Sequence, residues 1–271
     1  KTFYIYYSFN VLKFLRVRFS KEIKYLAKKS LNKKIKNIKT KKDIERIIVE
    51  DIWIGDIFYD SYLKKFNCTT IEINSNNFVE YFYEFLCVFY YWHNFIKNNK
   101  VKAVLTSHGV YAFAIPLRIA TYFNIDAFVA NEQKIYRYKK KDISLKKNST
   151  GNFAESKLFK LTYLKADNQL KKNIISEGKK ISNEVAFKNK KLFYLNNEKI
   201  RSLKNIDSKL LKKKSLRVLI SAHAFSDSPH VFGKNLFVDF EEWFQFLDIM
   251  IKKTDYEWFI KPHPNLDKLS L

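Results

Sequence analysis

Short apolar runs alternating with longer helical stretches predict an α/β protein with mainly parallel sheets. Two regions carry the pattern. In the first, the run at 101–107 ends in Ser107-His108-Gly109 and is followed by a helical stretch at 110–122 and a second apolar run at 125–130. In the second, 216–221, 239–252 and 256–260 read as strand, helix and strand. Composition agrees: 271 residues are 46% hydrophobic and 17% aromatic, with five Gly, four Pro and two Cys. A chain of this size can bury about three quarters of its surface, ample for one large domain or two small ones. A disordered tail, a collagen-like repeat and a disulfide-stapled module are excluded.

Residues 1–42 form a basic amphipathic stretch, with Leu12, Leu15, Phe19, Ile23 and Leu26 at helical spacing and a polar side of Lys. It reads as a docked N-terminal helix, or as a helix lying on anionic lipid. Ile47, Ile48 and Val49 are β-prone and precede Ile54-Gly55-Asp56. Residues 78–96 have the length and periodicity of a buried helix; the apolar stretch at 81–96 is too short for a bilayer and contains Glu84 and His93. The helix at 110–122 includes Pro116. Residues 139–213 are polar, with helical periodicity around 158–181 and a linker at 205–214. On the helix at 239–252, Trp243, Phe244, Leu247 and Ile251 share an apolar face. The expected organisation is a basic helical segment at 1–42, a first domain with connecting helices at 43–204 and a second domain beginning at 215–271. One strand–helix–strand unit is too little for a doubly wound sheet, so the second domain is expected to be truncated. The start at Lys1 without Met fits a piece of a longer protein.

The formal net charge is +24, yet only seven of the 51 basic residues are Arg. Lys, Asn, Ile, Phe and Tyr are the residues that AT-rich codons specify, so coding bias and solvated Lys faces account for most of the charge. Nucleic-acid readers favour the planar Arg fork, and no nucleic-acid partner is expected. Attraction to an anionic substrate or membrane surface remains open. Cys68 and Cys87 stand 19 residues apart without a second pair and read as buried thiols in a reducing compartment.

Chemistry concentrates after the predicted strands. Three of the five His and three of the four Pro lie between 223 and 264. In open parallel sheets, ligands bind outside the carboxyl ends of the strands. One cluster runs from His223 through Ser226, Asp227, Ser228 and Pro229 to His230; the other is Lys261-Pro262-His263-Pro264-Asn265. If the two strands are neighbours, both loops open into one crevice. A Lys and a His between prolines supply fixed donors for a phosphate, whereas the plainer reading is a Pro-stiffened turn. His223, His230 and Asp227 could in principle ligate a metal, but nothing in the spacing favours it, and none is expected. His93, on an aromatic helix, reads as structural, and Asp56 and Asp60 read as shaping a turn.

Trp258-Phe259-Ile260-Lys261-Pro262-His263-Pro264-Asn265 resembles the Lys-Pro-His-Pro segment of bacterial capsule and surface polysaccharide biosynthesis proteins, relatives of GT-B glycosyltransferases. Ser226-Asp227-Ser228-Pro229-His230 with Leu236, Phe237, Asp239 and Trp243 is similar to that group, as are 54–60 and Ser107-His108-Gly109-Val110-Tyr111. The resemblance implies a GT-B-like arrangement of two Rossmann-like domains, acceptor side first and nucleotide-donor side second. It also implies that His263 and Lys261, with His230 and Ser226, bind donor phosphate. It places His108 as a base or acceptor contact, with a helix-capping reading beside it; Asp227 is the alternative base, with the plainer reading that it caps a helix or holds His230.

The expected activity is transfer of a sugar, or a polyol phosphate, from a nucleotide-activated donor to a glycan or lipid-linked acceptor. No cofactor is expected, and the setting is the cytoplasm or the inner face of the membrane. A sugar-nucleotide epimerase of the same architecture is a related reading. The reading from another class is a non-catalytic basic module that binds membrane surface or nucleic acid with steep salt dependence.

Overall fold

The computed structural model describes residues 20–73, 75–130, 135–146, 149–150, 154–187, 216–233 and 235–263. It is a mixed α/β protein with small sheets, some of them parallel. Leu12, Leu15, Phe19, the linker at 205–214, Pro264 and Asn265 lie outside the described residues. The chain forms two compact units: residues 1–153 with Phe225–Phe246, and Ala154–Ala224 with Leu247–Leu271. Read from sequence, residues 225–246 belong to the second domain; in the structure they pack into the first unit.

In the first unit, α1 (Lys21–Ile35) starts at Ser20, whose hydroxyl accepts the Ile23 N–H. Its apolar stripe of Ile23, Ala27 and Leu31 is buried, so the helix docks and turns its lysines to solvent. The short α2 (Lys41–Glu45) opens with a capping box between Thr40 and Asp43. Strands β1 (Ile48–Val49) and β2 (Ile52–Trp53) form a hairpin through Glu50 and Asp51, both with positive φ as a two-residue type I′ turn requires. The Tyr90 hydroxyl donates to the Glu50 carboxylate at 2.9 Å and steadies that turn.

Next come α3 (Gly55–Phe66), closed by Asn67 in the left-handed region, and α4 (Asn76–Asn98), capped by Ser75. The aromatic run expected at 78–96 is the spine of the core. Phe58 of α3 is fully buried among Phe78, Phe82 and Phe85 of α4, with ring centroids 4.7–5.8 Å apart. Such contacts add about 0.5–1.5 kcal/mol per pair beyond area burial. Strand β3 (Ala103–Thr106) is followed by a 3₁₀ turn at Tyr111–Ala114 and by α5 (Ile115–Tyr122). Pro116 sits in the first turn of α5, where its missing N–H costs nothing. That is why one expected helix is two pieces. Strand β4 (Asp126–Ala130) pairs parallel with β3, and β5 (Ile135–Tyr138) returns antiparallel, giving the order β3-β4-β5. Strands β6 (Ile143–Ser144) and β7 (Ser149–Thr150) close a second small hairpin.

The second unit holds helices α6 (Ala154–Lys165) and α7 (Asn168–Phe187), in the region whose periodicity predicts connecting helices. Strand β8 (Arg217–Ser221) is followed by the excursion of 225–246, which takes in the first half of α8 (Phe240–Lys252), and then by β9 (Glu257–Lys261). β8 and β9 are parallel neighbours, in register from Arg217↔Glu257 to Ser221↔Lys261. An Arg217–Glu257 ion pair spans their start at 3.0 Å. No helix among the described residues is long and apolar enough to cross a membrane.

Candidate functional site

Two places in the fold gather the polar side chains singled out by the sequence, one in each unit. In the first unit, α3 presents polar groups from successive turns, and residues 226–239 come to meet them. His230, 4% exposed, is held from both sides. Its Nδ1 pairs with the Asp60 carboxylate at 2.6 Å and its Nε2 with Glu45 at 2.9 Å. Its backbone N–H also donates to Asp60 at 3.3 Å. Burial alone would discharge the imidazole; the two carboxylates overcome that and raise its pKa to about 10. With both ring nitrogens taken, His230 presents no donor to a phosphate and no lone pair to a metal. The phosphate role expected for it gives way to that of a charged pin between α2, α3 and the 226–239 segment.

Asp239 is a second pin. It accepts hydrogen bonds from the Tyr59 hydroxyl at 2.6 Å and from the Thr70 hydroxyl, and pairs with Lys41 at 3.0 Å. It also caps α8: the Glu242 N–H donates to its Oδ1 at 3.0 Å, while the Val238 N–H donates to Glu242 at 2.6 Å. Burial opposes ionisation of Asp239, but the bonds from Thr70 and Tyr59 outweigh it and hold the carboxyl below its usual range. Asp239→Asn, which keeps an acceptor but drops the charge facing Lys41, is expected to cost about 1–2 kcal/mol. Urea unfolding near neutral pH would read this as a lower midpoint at unchanged slope; an unchanged midpoint would make the pin energetically idle.

Asp56, near the start of α3, receives Arg118, whose other guanidinium nitrogen donates to the Trp53 carbonyl at 3.1 Å. The guanidinium also lies 4.9 Å from the centre of the Trp53 ring. The segment at 54–60 is therefore chiefly architectural: Asp56, Tyr59 and Asp60 each hold another part of the chain. His93 is buried beside Phe89 and Phe123, and its burial lowers its pKa, as a core imidazole requires.

Beyond these pins lie the groups open to a ligand. His108, exposed just past the carboxyl end of β3, has Nδ1 2.9 Å from the Ser107 hydroxyl, and its carbonyl accepts from Thr106 at 2.9 Å. Its ring is 5.9 Å from Phe113, which with Val88, Trp92, Phe95, Leu105 and Pro116 lines an apolar groove of about 590 Å³. Ser226 donates to the Asn67 side chain at 3.0 Å, and Asp227 accepts the Tyr111 hydroxyl. The structure thus joins the 107–111 and 226–230 segments through Tyr111 and Asp227. Tyr111 carries no assigned role in the sequence reading. A Tyr two residues after a strand-end His-Gly was the signal at hand.

In the second unit, the Ala222 N–H donates to the Lys261 carbonyl at 2.9 Å, extending the parallel pairing past β8. Immediately beyond, the rings of His223 and His263 lie with centroids 5.7 Å apart. Lys261 is exposed at the end of β9. The two strands are parallel neighbours, which brings two imidazoles and an ammonium to their carboxyl ends. His223, weighed from sequence only as a metal ligand, is the partner the spacing did not assign to His263. No protein-family profile, curated protein or solved structure matches the chain.

Proposed function

We propose that the protein is a GT-B-type glycosyltransferase of capsule or surface polysaccharide synthesis. It would move a sugar or polyol phosphate from a nucleotide-activated donor to a glycan or lipid-linked acceptor. The observation that carries the reading is the pairing of His223 with His263 beside Lys261, at the carboxyl ends of two adjacent parallel strands. That is where open α/β sheets hold phosphates, and cationic donors there offset charge on a departing phosphate. The resemblance of 258–265 to the capsule group supports the same assignment. In this reading, Asp227 and His108 of the first unit are the two candidates for the base that takes a proton from an acceptor hydroxyl.

Calorimetric titration of CMP, CDP, UDP and GDP is the test. One nucleotide should bind selectively, and His263→Ala should weaken it about tenfold to hundredfold, the range for hydrogen bonds to charged groups. Equal binding of all four nucleotides, DNA and anionic vesicles, falling together with salt, would instead identify a polyanion-binding module built on the +24 charge.

A further inference from the structure

We propose that Tyr111 is the residue that positions Asp227 as the base toward the acceptor hydroxyl; this rests on the transferase reading above. Tyr111 has φ 55, a left-handed conformation that bulky L residues avoid and that persists only where surrounding structure enforces it. The conformation starts the 3₁₀ turn three residues after His108. There the Tyr111 hydroxyl donates to Asp227 Oδ1 and accepts the Ser228 N–H at 3.3 Å. Both hydrogen-bonding directions of the phenol are therefore spent on residues 227 and 228. The Ser228 hydroxyl approaches the same Oδ1 at 3.5 Å. Among the described residues, every hydrogen bond at this carboxylate thus falls on Oδ1, which leaves Oδ2 for a ligand. Burial and the Asp227 contact raise the Tyr111 pKa to about 12, so the phenol stays a donor across the working range. Among the described residues, Lys64 is a charged neighbour of the ring, 5.9 Å from its centre.

On the transferase reading, Asp227 takes part in one step. The proton of the acceptor hydroxyl passes to Asp227 Oδ2, and the acceptor oxygen bonds to the transferred carbon or phosphorus. The bond from that atom to the nucleotide's phosphate oxygen breaks, and its electron pair leaves with the nucleotide. Tyr111 touches neither substrate. Its contribution is to fix the direction of the carboxylate, and misdirection of a base is costly because proton transfer needs hydrogen-bond geometry.

The experiment compares wild type, Tyr111→Phe, Tyr111→Asn and Asp227→Asn. Nucleotide release is measured from CMP-, UDP- and GDP-linked sugars and CDP-linked polyols, with water as acceptor, alongside nucleotide Kd and Tm. Tyr111→Phe keeps the ring and removes the hydroxyl. Tyr111→Asn relieves the positive φ, which Asn tolerates, and so supplies a folded variant should the first unfold. The proposal expects kcat to fall about tenfold to hundredfold in both Tyr111 variants, with KM and Kd for the nucleotide unchanged. It expects a larger loss in Asp227→Asn. Unchanged kcat in a folded Tyr111 variant overturns it while leaving the transferase reading intact, as does a fall matched by a rise in KM. Absence of nucleotide release and of nucleotide binding in wild type overturns the transferase reading and this proposal together.

Discussion

A His230→Ala variant is expected to lose about 3–5 kcal/mol of stability near neutral pH. Removing one partner of a buried charged cluster leaves the others uncompensated. Here the orphaned groups are Asp60, itself almost fully buried, and Glu45. The same contact is expected to mark the pH dependence of wild-type stability. The folded pKa of His230 is raised to about 10 from an ordinary 6.5. Its contribution is therefore complete below about pH 6.5 and is lost as pH rises toward and through 10. Lysines and tyrosines also titrate at the upper end of that window, so the comparison must be between variants. Urea unfolding of wild type and His230→Ala at pH 6, 8 and 10 should give curves that converge as pH rises. Parallel curves would mean that the imidazole is held neutral and that the Asp60 contact is an ordinary hydrogen bond.

The same contact explains what could be read from the sequence and what could not. Elements fixed by their own periodicity were legible. The aromatic helix expected at 78–96 is found at Asn76–Asn98, and the last two strands fall within a residue of where alternation places them. The strand order β3-β4 and the β8–β9 pairing follow from short strand–helix–strand spacing. The antiparallel return of β5 was not legible, because Ile135–Tyr138 lies in a polar stretch with little pattern of its own. Nor was the destination of residues 225–246. His230 and Asp60 are 170 residues apart, and Asp239 and Tyr59 are 180 apart. A loop of Ser, Asp, Pro and His reads alike whether it cradles a phosphate or plugs into a helix. What separates the cases is whether a carboxylate waits at the other end, and only tertiary structure supplies that. His263 had the opposite fate: its proximity to His223 follows from two strands lying side by side, which local pattern does predict.

Gly55→Ala is expected to destabilise the protein by about 3 kcal/mol or more, and its cost should be coupled to the His230 cluster. Gly55 is the first residue of α3 and lies under the end of α2. A Cβ there would sit 2.2 Å from the Ile44 carbonyl oxygen, 2.3 Å from the Glu45 carbonyl oxygen and 2.5 Å from the Glu45 carbonyl carbon. These are backbone atoms, so no side-chain rotation relieves the clash, and the usual 1–3 kcal/mol of overpacking is a lower bound. The Glu45 carbonyl is also fixed by the Trp53 indole N–H at 2.6 Å, while the Ile54 and Gly55 N–H groups both donate to the Ile47 carbonyl at 3.0 Å. Accommodation would require α2 to move, and α2 carries the Glu45 carboxylate that holds His230 Nε2. Part of the damage from Gly55→Ala is therefore loss of that contact. A double-mutant cycle with Glu45→Gln isolates this part. The combined loss should fall short of the sum of the single losses by about 1 kcal/mol or more, because the contact cannot be lost twice. Strict additivity would mean that α2 stays in place and that the strain is absorbed within α3, leaving the glycine and the buried imidazole as independent supports of the fold.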